Sequence, residues 1–133
     1  LVLGWRTDCF PGFYFPSTDL GVDARVEDGR AVADAWLNKL RLDIPGAILL
    51  CAPVPADQAI PRERAEAALE AALRKAEAKA VRGKALTPFL LAALNEATGG
   101  ATLRANLALL RNNARIAAEI AVAIASASSR AAR

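Results

Sequence analysis

Histidine and methionine are absent from this chain of 133 residues, and cysteine occurs only twice, as Cys9 and Cys51. Without histidine there can be no Ser-His-Asp triad and no Cys-His nucleophile pair, and the usual zinc ligand sets fall away as well. Two cysteines far apart in sequence make no disulfide framework, so both are read as reduced intracellular thiols, with Cys51 inside a strand. Long apolar runs are missing too. The longest, around Ile48 to Pro53 and Ile120 to Ala125, fall well short of the ~20 residues that a membrane-spanning helix needs. No charged start followed by an apolar core marks a secretory signal, and a cytoplasmic location is expected. The net charge is only +3. Its basic residues are spread over several predicted helices without a stripe or an aromatic platform, which argues against a nucleic-acid-binding module. Leu1 stands where an initiator methionine would, and Leu1-Val2-Leu3-Gly4 followed by Trp5 reads as the end of a strand. We therefore expect the chain to start within a longer protein.

What is present is an α/β pattern. Hydrophobic residues make up 54% and charged residues 23%, enough for one domain with a real core. After the first strand comes a loop, Thr7 to Pro16, that holds Phe10, Phe13, Tyr14 and Phe15, most of the chain's aromatics. A cluster of this kind between prolines more often packs on its own domain than walls a pocket. Ala24 to Val26 is extended. A helix capped by Asp28 follows, from about Gly29 to Leu40, with Val32, Trp36 and Leu40 at helical spacing. Ala47-Ile48-Leu49-Leu50-Cys51 is too short for a helix and reads as a buried parallel strand, ended by Ala52-Pro53-Val54-Pro55. Pro61 to Ala80 is an alanine-rich helix with a stripe of Ala65, Leu69, Leu73 and Ala76. Thr87 should cap the next helix, with Pro88 as its first residue, Gly99-Gly100 should stop it, and Thr102 should cap the last helix. The expected architecture is a partial α/β/α sandwich with mainly parallel strands, ending in a long carboxyl-terminal helix. Residues 1–125 form one domain in this reading, and residues 126–133 a disordered tail.

The terminal helix carries the strongest hint of function. At about 100° per residue, Leu103, Leu107, Leu110, Ala114, Ala117, Ala121 and Ile124 share one stripe, whereas Arg104, Arg111, Arg115 and Glu119 gather opposite. Asn106 and Asn113 fall on the apolar side, with Leu109, Ile116 and Ile120 extending it. A buried amide without partners is costly, so each must meet backbone, another side chain, water or a ligand. They are read either as structural amides or as the polar edge of a pocket. In open α/β sheets, ligands bind beyond the carboxyl ends of the strands, which makes the Thr7-Asp8 and Pro53-Val54-Pro55 exits further candidate walls. No acid-base constellation can be assembled: the carboxylates are scattered, and Lys75, Lys79 and Lys84 lie on or beside an exposed helix. Neither a catalytic residue nor a metal ligand is assigned.

Thr87-Pro88-Phe89-Leu90-Leu91, Thr98-Gly99-Gly100, Leu103, Ala105-Asn106 and Asn112-Asn113-Ala114 closely resemble, in order and spacing, the carboxyl-terminal signature of pseudouridine-5'-phosphate glycosidases. Gly4-Trp5-Arg6-Thr7-Asp8 with Phe10-Pro11 and Phe13-Tyr14 looks like the loop after that family's catalytic-lysine segment, and Pro53-Val54-Pro55 like its proline turn. The resemblance implies an enzyme that reversibly cleaves the carbon-carbon glycosidic bond of pseudouridine 5'-phosphate, giving uracil and ribose 5-phosphate. It further implies a lysine Schiff base, bound manganese and a homotrimer. A C-glycoside has no heteroatom leaving group, so an iminium electron sink replaces ordinary oxocarbenium departure. By the same resemblance, the lysine, the acid and the manganese ligand precede Leu1, and this chain alone is expected to be inactive. Asn106 matches an asparagine at the substrate pocket that can bond the uracil edge, a role suited to an amide offering donor and acceptor together. Asn113 would support the pocket or brace the helix, and Thr7 would lie near it. Two positions depart from the family's pattern: Ala52, where asparagine is usual, and Cys9, where an acidic residue is common. The alternative is a standalone non-catalytic α/β structural or interaction module.

Overall fold

A computed structural model describes residues 1–131, apart from the side chains of the last two of them. The described residues form two compact units. The first comprises 1–12, 17–53 and 110–131, and the second 13–16 and 54–109. The sequence reading has a single domain over 1–125. The division arises because the 13–16 segment leaves the first unit's loop to pack among the helices of the second.

The first unit is built on a three-stranded parallel sheet in the order β2-β1-β3, with β1 at Val2–Trp5, β2 at Ala24–Val26 and β3 at Leu49–Cys51. Leu3 lies opposite both Ala24 and Leu50, and Gly4 opposite both Arg25 and Cys51, which fixes the register on either side of β1. Alternation sends Leu3 and Trp5 to one face. There they meet Val26, Val32 and Ile116, with Ala35, Leu50 and Ile120 around them. Val32 and Ala35 come from α1, Gly29–Arg41. Asp28 caps this helix as expected, its Oδ1 accepting the Ala31 N–H at 2.9 Å. Of its predicted stripe, Val32 is buried, Trp36 half-buried and Leu40 exposed. The strand expected from Ala47 begins only at Leu49. Cys51 is buried, as expected for a thiol within a strand, and burial pushes it above its ordinary pKa of 9.0.

The second unit holds α2 (Arg62–Ala78), α3 (Leu86–Ala97) and residues 101–109 of α4, which runs Ala101–Ala131. Its core joins Tyr14, Val54, Ile60, Ala65, Ala72, Leu94, Ala105 and Leu109. The Ile60 N–H donates to the Tyr14 carbonyl at 2.8 Å and ties the aromatic segment down. On α2 the buried positions are Ala65, Ala72 and Ala76, whereas Leu69 and Leu73 of the predicted stripe remain 40% exposed.

Three boundaries differ from expectation. Thr87 does not cap α3, because a 3-10 turn at Gly83–Ala85 runs straight into it and Ala85 takes the cap position. Pro88 still falls in the first turn, where its missing N–H leaves no hydrogen bond unmade. Thr102 does not cap α4 either; it lies inside the helix, and its N–H donates to Thr98 Oγ1 at 3.3 Å. Finally, α4 continues to Ala131 through the stretch assigned to a tail, with Ser129 Oγ donating to the Ala125 carbonyl at 3.0 Å. Alternating alanine and serine keep enough helix propensity to extend a helix already formed. Residues 132–133 lie outside the described residues.

The stripe on α4 is also redrawn. Thr102, Ala105, Leu109 and Ile116 are the buried positions, while Leu103, Leu107 and Leu110 are exposed at 51%, 45% and 59%. Asn106 and Asn113 sit on the border between these two sectors, about 60–80° from the centre of the buried one.

Gly4 carries the tightest constraint in the sheet: a Cβ there would stand 2.1 Å from the Thr7 carbonyl oxygen. Gly4→Ala should therefore lower stability by about 3 kcal/mol through forced backbone displacement, read as a fall in the urea midpoint. An unchanged midpoint would show that the Thr7 turn yields freely.

Candidate functional site

The α3–α4 connection shows how local sequence builds a site. Gly99 and Gly100 both have left-handed backbones, with φ of 61° and 82°, which glycine adopts without strain. The Gly99 and Gly100 N–H groups donate to the Glu96 and Asn95 carbonyls at 3.3 and 2.9 Å, closing α3. Thr98, only 3% exposed, bridges the two helices: its hydroxyl donates to the Leu94 carbonyl at 2.8 Å and accepts from the Thr102 N–H. The Thr98 and Thr102 hydroxyls lie 3.2 Å apart. This clasp brings the last turn of α3 and the first turns of α4 to a common cavity.

That cavity has a volume of about 260 Å³ and is lined by Tyr14, Leu91, Ala92, Asn95, Thr102, Leu103 and Asn106. Of the sequence-assigned residues, Asn106 is here and half-buried. Asn95 was not singled out from the sequence, yet it lines the same wall. Its Oδ1 is shielded from water and has no hydrogen-bond partner among the described residues. An unmet buried acceptor of this kind costs about 1–3 kcal/mol. No charged side chain lines the cavity, so its chemistry suits a neutral ligand that is partly aromatic and partly amide-like. Tyr14 belongs to it as well, and burial holds its phenol above the ordinary 10.0. The aromatic loop is thus both a packing segment and a wall.

Tyr14 and Leu91 also border a larger cavity of about 680 Å³, which is almost wholly apolar, with Phe13, Phe15, Leu69, Leu90 and Leu94 among its walls. Phe13 meets Tyr14 edge to face at a centroid separation of 4.7 Å. Glu66, its one carboxylate, is held by Arg62 at 2.8 Å.

In the first unit the other assigned residues fare differently. Asn113 is exposed on α4. Thr7 is 8% exposed, and its hydroxyl is occupied by Cys9: it donates to the Cys9 carbonyl at 3.1 Å and accepts the Cys9 N–H at 3.3 Å. Thr7 therefore shapes the strand exit rather than offering a free group. Asp8 pairs with Arg25 at 3.1 Å, and Arg25 also pairs with Glu27 at 2.6 Å. Arg6, between them and the strand, holds a left-handed φ of 55°, fixed by its N–H to the Val26 carbonyl and its Nε to the Glu27 carbonyl. Glu119, which helical spacing sets with the arginines opposite the apolar stripe of α4, accepts the Gly29 N–H at 3.1 Å, placing a carboxylate at the α1 N-terminus.

Among the described residues, no three histidine, cysteine, aspartate or glutamate side chains cluster as a metal site. The manganese implied by the resemblance therefore finds no fitting ligand set here. No helix among the described residues is long and apolar enough to cross a membrane.

The first unit carries a parallel α/β sheet, and the helical hairpin of the second lines a cavity with two amides and, among the described residues, no charged side chain. Comparison with known proteins narrows this. Residues 1–123 match the family described as Indigoidine synthase A like protein. The pseudouridine-5'-phosphate glycosidase of Chloroflexus aurantiacus is 49% identical over 92% of this chain and 41% of its own length. That of Caldanaerobacter subterraneus is 45% identical over 91% and 39%. Among solved structures, the prealnumycin C-glycosynthase AlnA, in complex with ribulose 5-phosphate, superposes with a TM-score of 0.85 at 31% identity over 97% of this chain and 42% of its own. An indigoidine synthase A-like protein from Thermotoga maritima gives 0.77 at 37% identity, covering 91% and 39%. The chain belongs to this family and corresponds to the carboxyl-terminal portion of its pseudouridine-5'-phosphate glycosidases. It spans about two fifths of the length of the curated relatives it matches.

The Tyr14 phenol supplies a pH test. Its neutral form is favoured in the folded state, so the stability it contributes is complete below pH 10.0 and is lost as pH rises through the higher folded-state value. Tyr14→Phe should flatten the alkaline fall of the urea midpoint relative to the unsubstituted chain. Identical alkaline slopes would contradict a buried phenol.

Proposed function

We propose that this chain supplies the base-binding wall of a pseudouridine-5'-phosphate glycosidase, the enzyme that exchanges pseudouridine 5'-phosphate for uracil and ribose 5-phosphate. The observation that carries the proposal is the uncharged cavity with Asn106 on its wall, beside an aromatic ring and a second amide. A pyrimidine base is flat, neutral and edged with amide-like groups. An asparagine can serve both a carbonyl and an N–H on such an edge, and Tyr14 offers an aromatic surface alongside. The sugar phosphate needs cations, which this cavity lacks, so that half of the substrate binds elsewhere. In the proposed division of labour, the Schiff-base lysine and the manganese ligands belong to other parts of the enzyme. Lys75, Lys79 and Lys84 are exposed and none of them lines the cavity. Assembly as a homotrimer belongs to the same proposal.

Two measurements test it. In calorimetric titration with uracil, Asn106→Ala should weaken binding about tenfold, the equivalent of one good hydrogen bond, while leaving the melting temperature nearly unchanged. Severe unfolding would instead make Asn106 a structural amide. The chain alone, given pseudouridine 5'-phosphate and manganese, should release no uracil. Measurable turnover would overturn the division of labour.

A further inference from the structure

No side chain of α2 lines the smaller cavity, yet the first turn of this helix is tied to both of the segments that wall it. Arg64 reaches out of α2, and its Nη2 donates to the Thr98 carbonyl at 3.2 Å. Thr98 follows the last residue of α3, so the guanidinium stands where the open carbonyls of that helix gather partial negative charge. A charged donor makes the stronger kind of hydrogen bond there. The same carbonyl receives the Ala101 N–H only at 3.4 Å. On the opposite side of the helix, about 200° around from Arg64, Arg62 lies 5.7 Å over the Phe15 ring. Phe15 adjoins Tyr14, the aromatic wall of the cavity. A second polar link from α2 to α3, Lys75 to Glu96, is 3.9 Å long with side chains 57% and 81% exposed, and it adds little.

We infer that Arg64 is a positioning residue: by holding the Thr98 carbonyl to α2, it sets where the first turns of α4, and Asn106 with them, stand relative to the Tyr14 wall. This rests on the reading of the cavity as the base site and deepens it, because it puts control of that site on a helix that does not touch the ligand. The Thr98 hydroxyl fixes α3 against α4 within the turn, whereas Arg64 fixes the turn as a body against α2. The Arg64 side chain is exposed, so the core does not depend on it. Losing its bond lets the turn drift without unfolding the unit. Hydrogen bonds weaken steeply as they lengthen and bend, so a small drift of Asn106 is felt by whatever it binds.

The test uses the 133-residue chain with Arg64→Met, which keeps the apolar stem and removes the donor, and Arg64→Lys, which keeps a charged donor. Nitrogen-15 NMR of the ligand-free chain and calorimetric titration with uracil are read beside a thermal melt of each variant. Arg64→Met should shift the side-chain amide signals of Asn106, weaken uracil binding about fivefold, and leave the melting temperature within about 4 °C of the unsubstituted chain. Arg64→Lys should return the Asn106 signals toward their original positions and bring the affinity back to within about twofold. Asn106 signals that stay in place in Arg64→Met overturn the inference. So does a melting temperature that falls while uracil affinity holds, since Arg64 is then a structural tie alone, and so does a lysine variant that rescues neither readout. If the unsubstituted chain binds no uracil but the ligand-free Asn106 signals respond to both variants as expected, the base site falls and the positioning role of Arg64 stands.

Discussion

The Thr98 hydroxyl is the interaction on which the second unit's cavity depends. One buried oxygen closes α3 by donating to Leu94 and opens α4 by accepting from Thr102, and the two left-handed glycines beside it let the chain turn within that span. Its polarity is consumed internally, so it costs no unmet hydrogen bond. The consequence is geometric: Asn95, three residues before it, and Asn106, eight after it, are brought to one cavity from different helices. Thr98-Gly99-Gly100 thus acts as the brace that brings both residues to one cavity, although it does not line that cavity.

Much of this was legible in the residues. The parallel strands, the Asp28 cap, the glycine stop after α3 and the buried Cys51 follow from local rules that act over a few residues, and the fold obeys them. The α4 stripe was not legible, because alanine and leucine occupy two adjacent sectors and helical spacing alone does not say which faces the core. The buried sector holds Thr102, Ala105, Leu109 and Ile116, while Leu103, Leu107 and Leu110 remain exposed.

Asn95 escaped notice for a related reason. A single asparagine near the end of a helix reads as ordinary C-terminal polarity, and only the fold reveals that its Oδ1 is buried and unmet. The signal available in the sequence was its place, within the run between Thr87 and Gly100 that bears the family resemblance. Conversely, Thr7 and Asn113 attracted attention by position, and the fold gives the Thr7 hydroxyl to Cys9 and leaves Asn113 at the surface.

In the proposed function, the cavity beside the Thr98 turn takes a neutral base and not the sugar phosphate. The most direct measurement follows the side-chain amide signals of Asn95 and Asn106 by nitrogen-15 NMR during separate additions of uracil and ribose 5-phosphate. Saturable shifts of both amides with uracil, and none with ribose 5-phosphate, are the predicted result. Shifts of the same two amides with ribose 5-phosphate, or none with uracil at saturating concentration, would show that the cavity is not a base site.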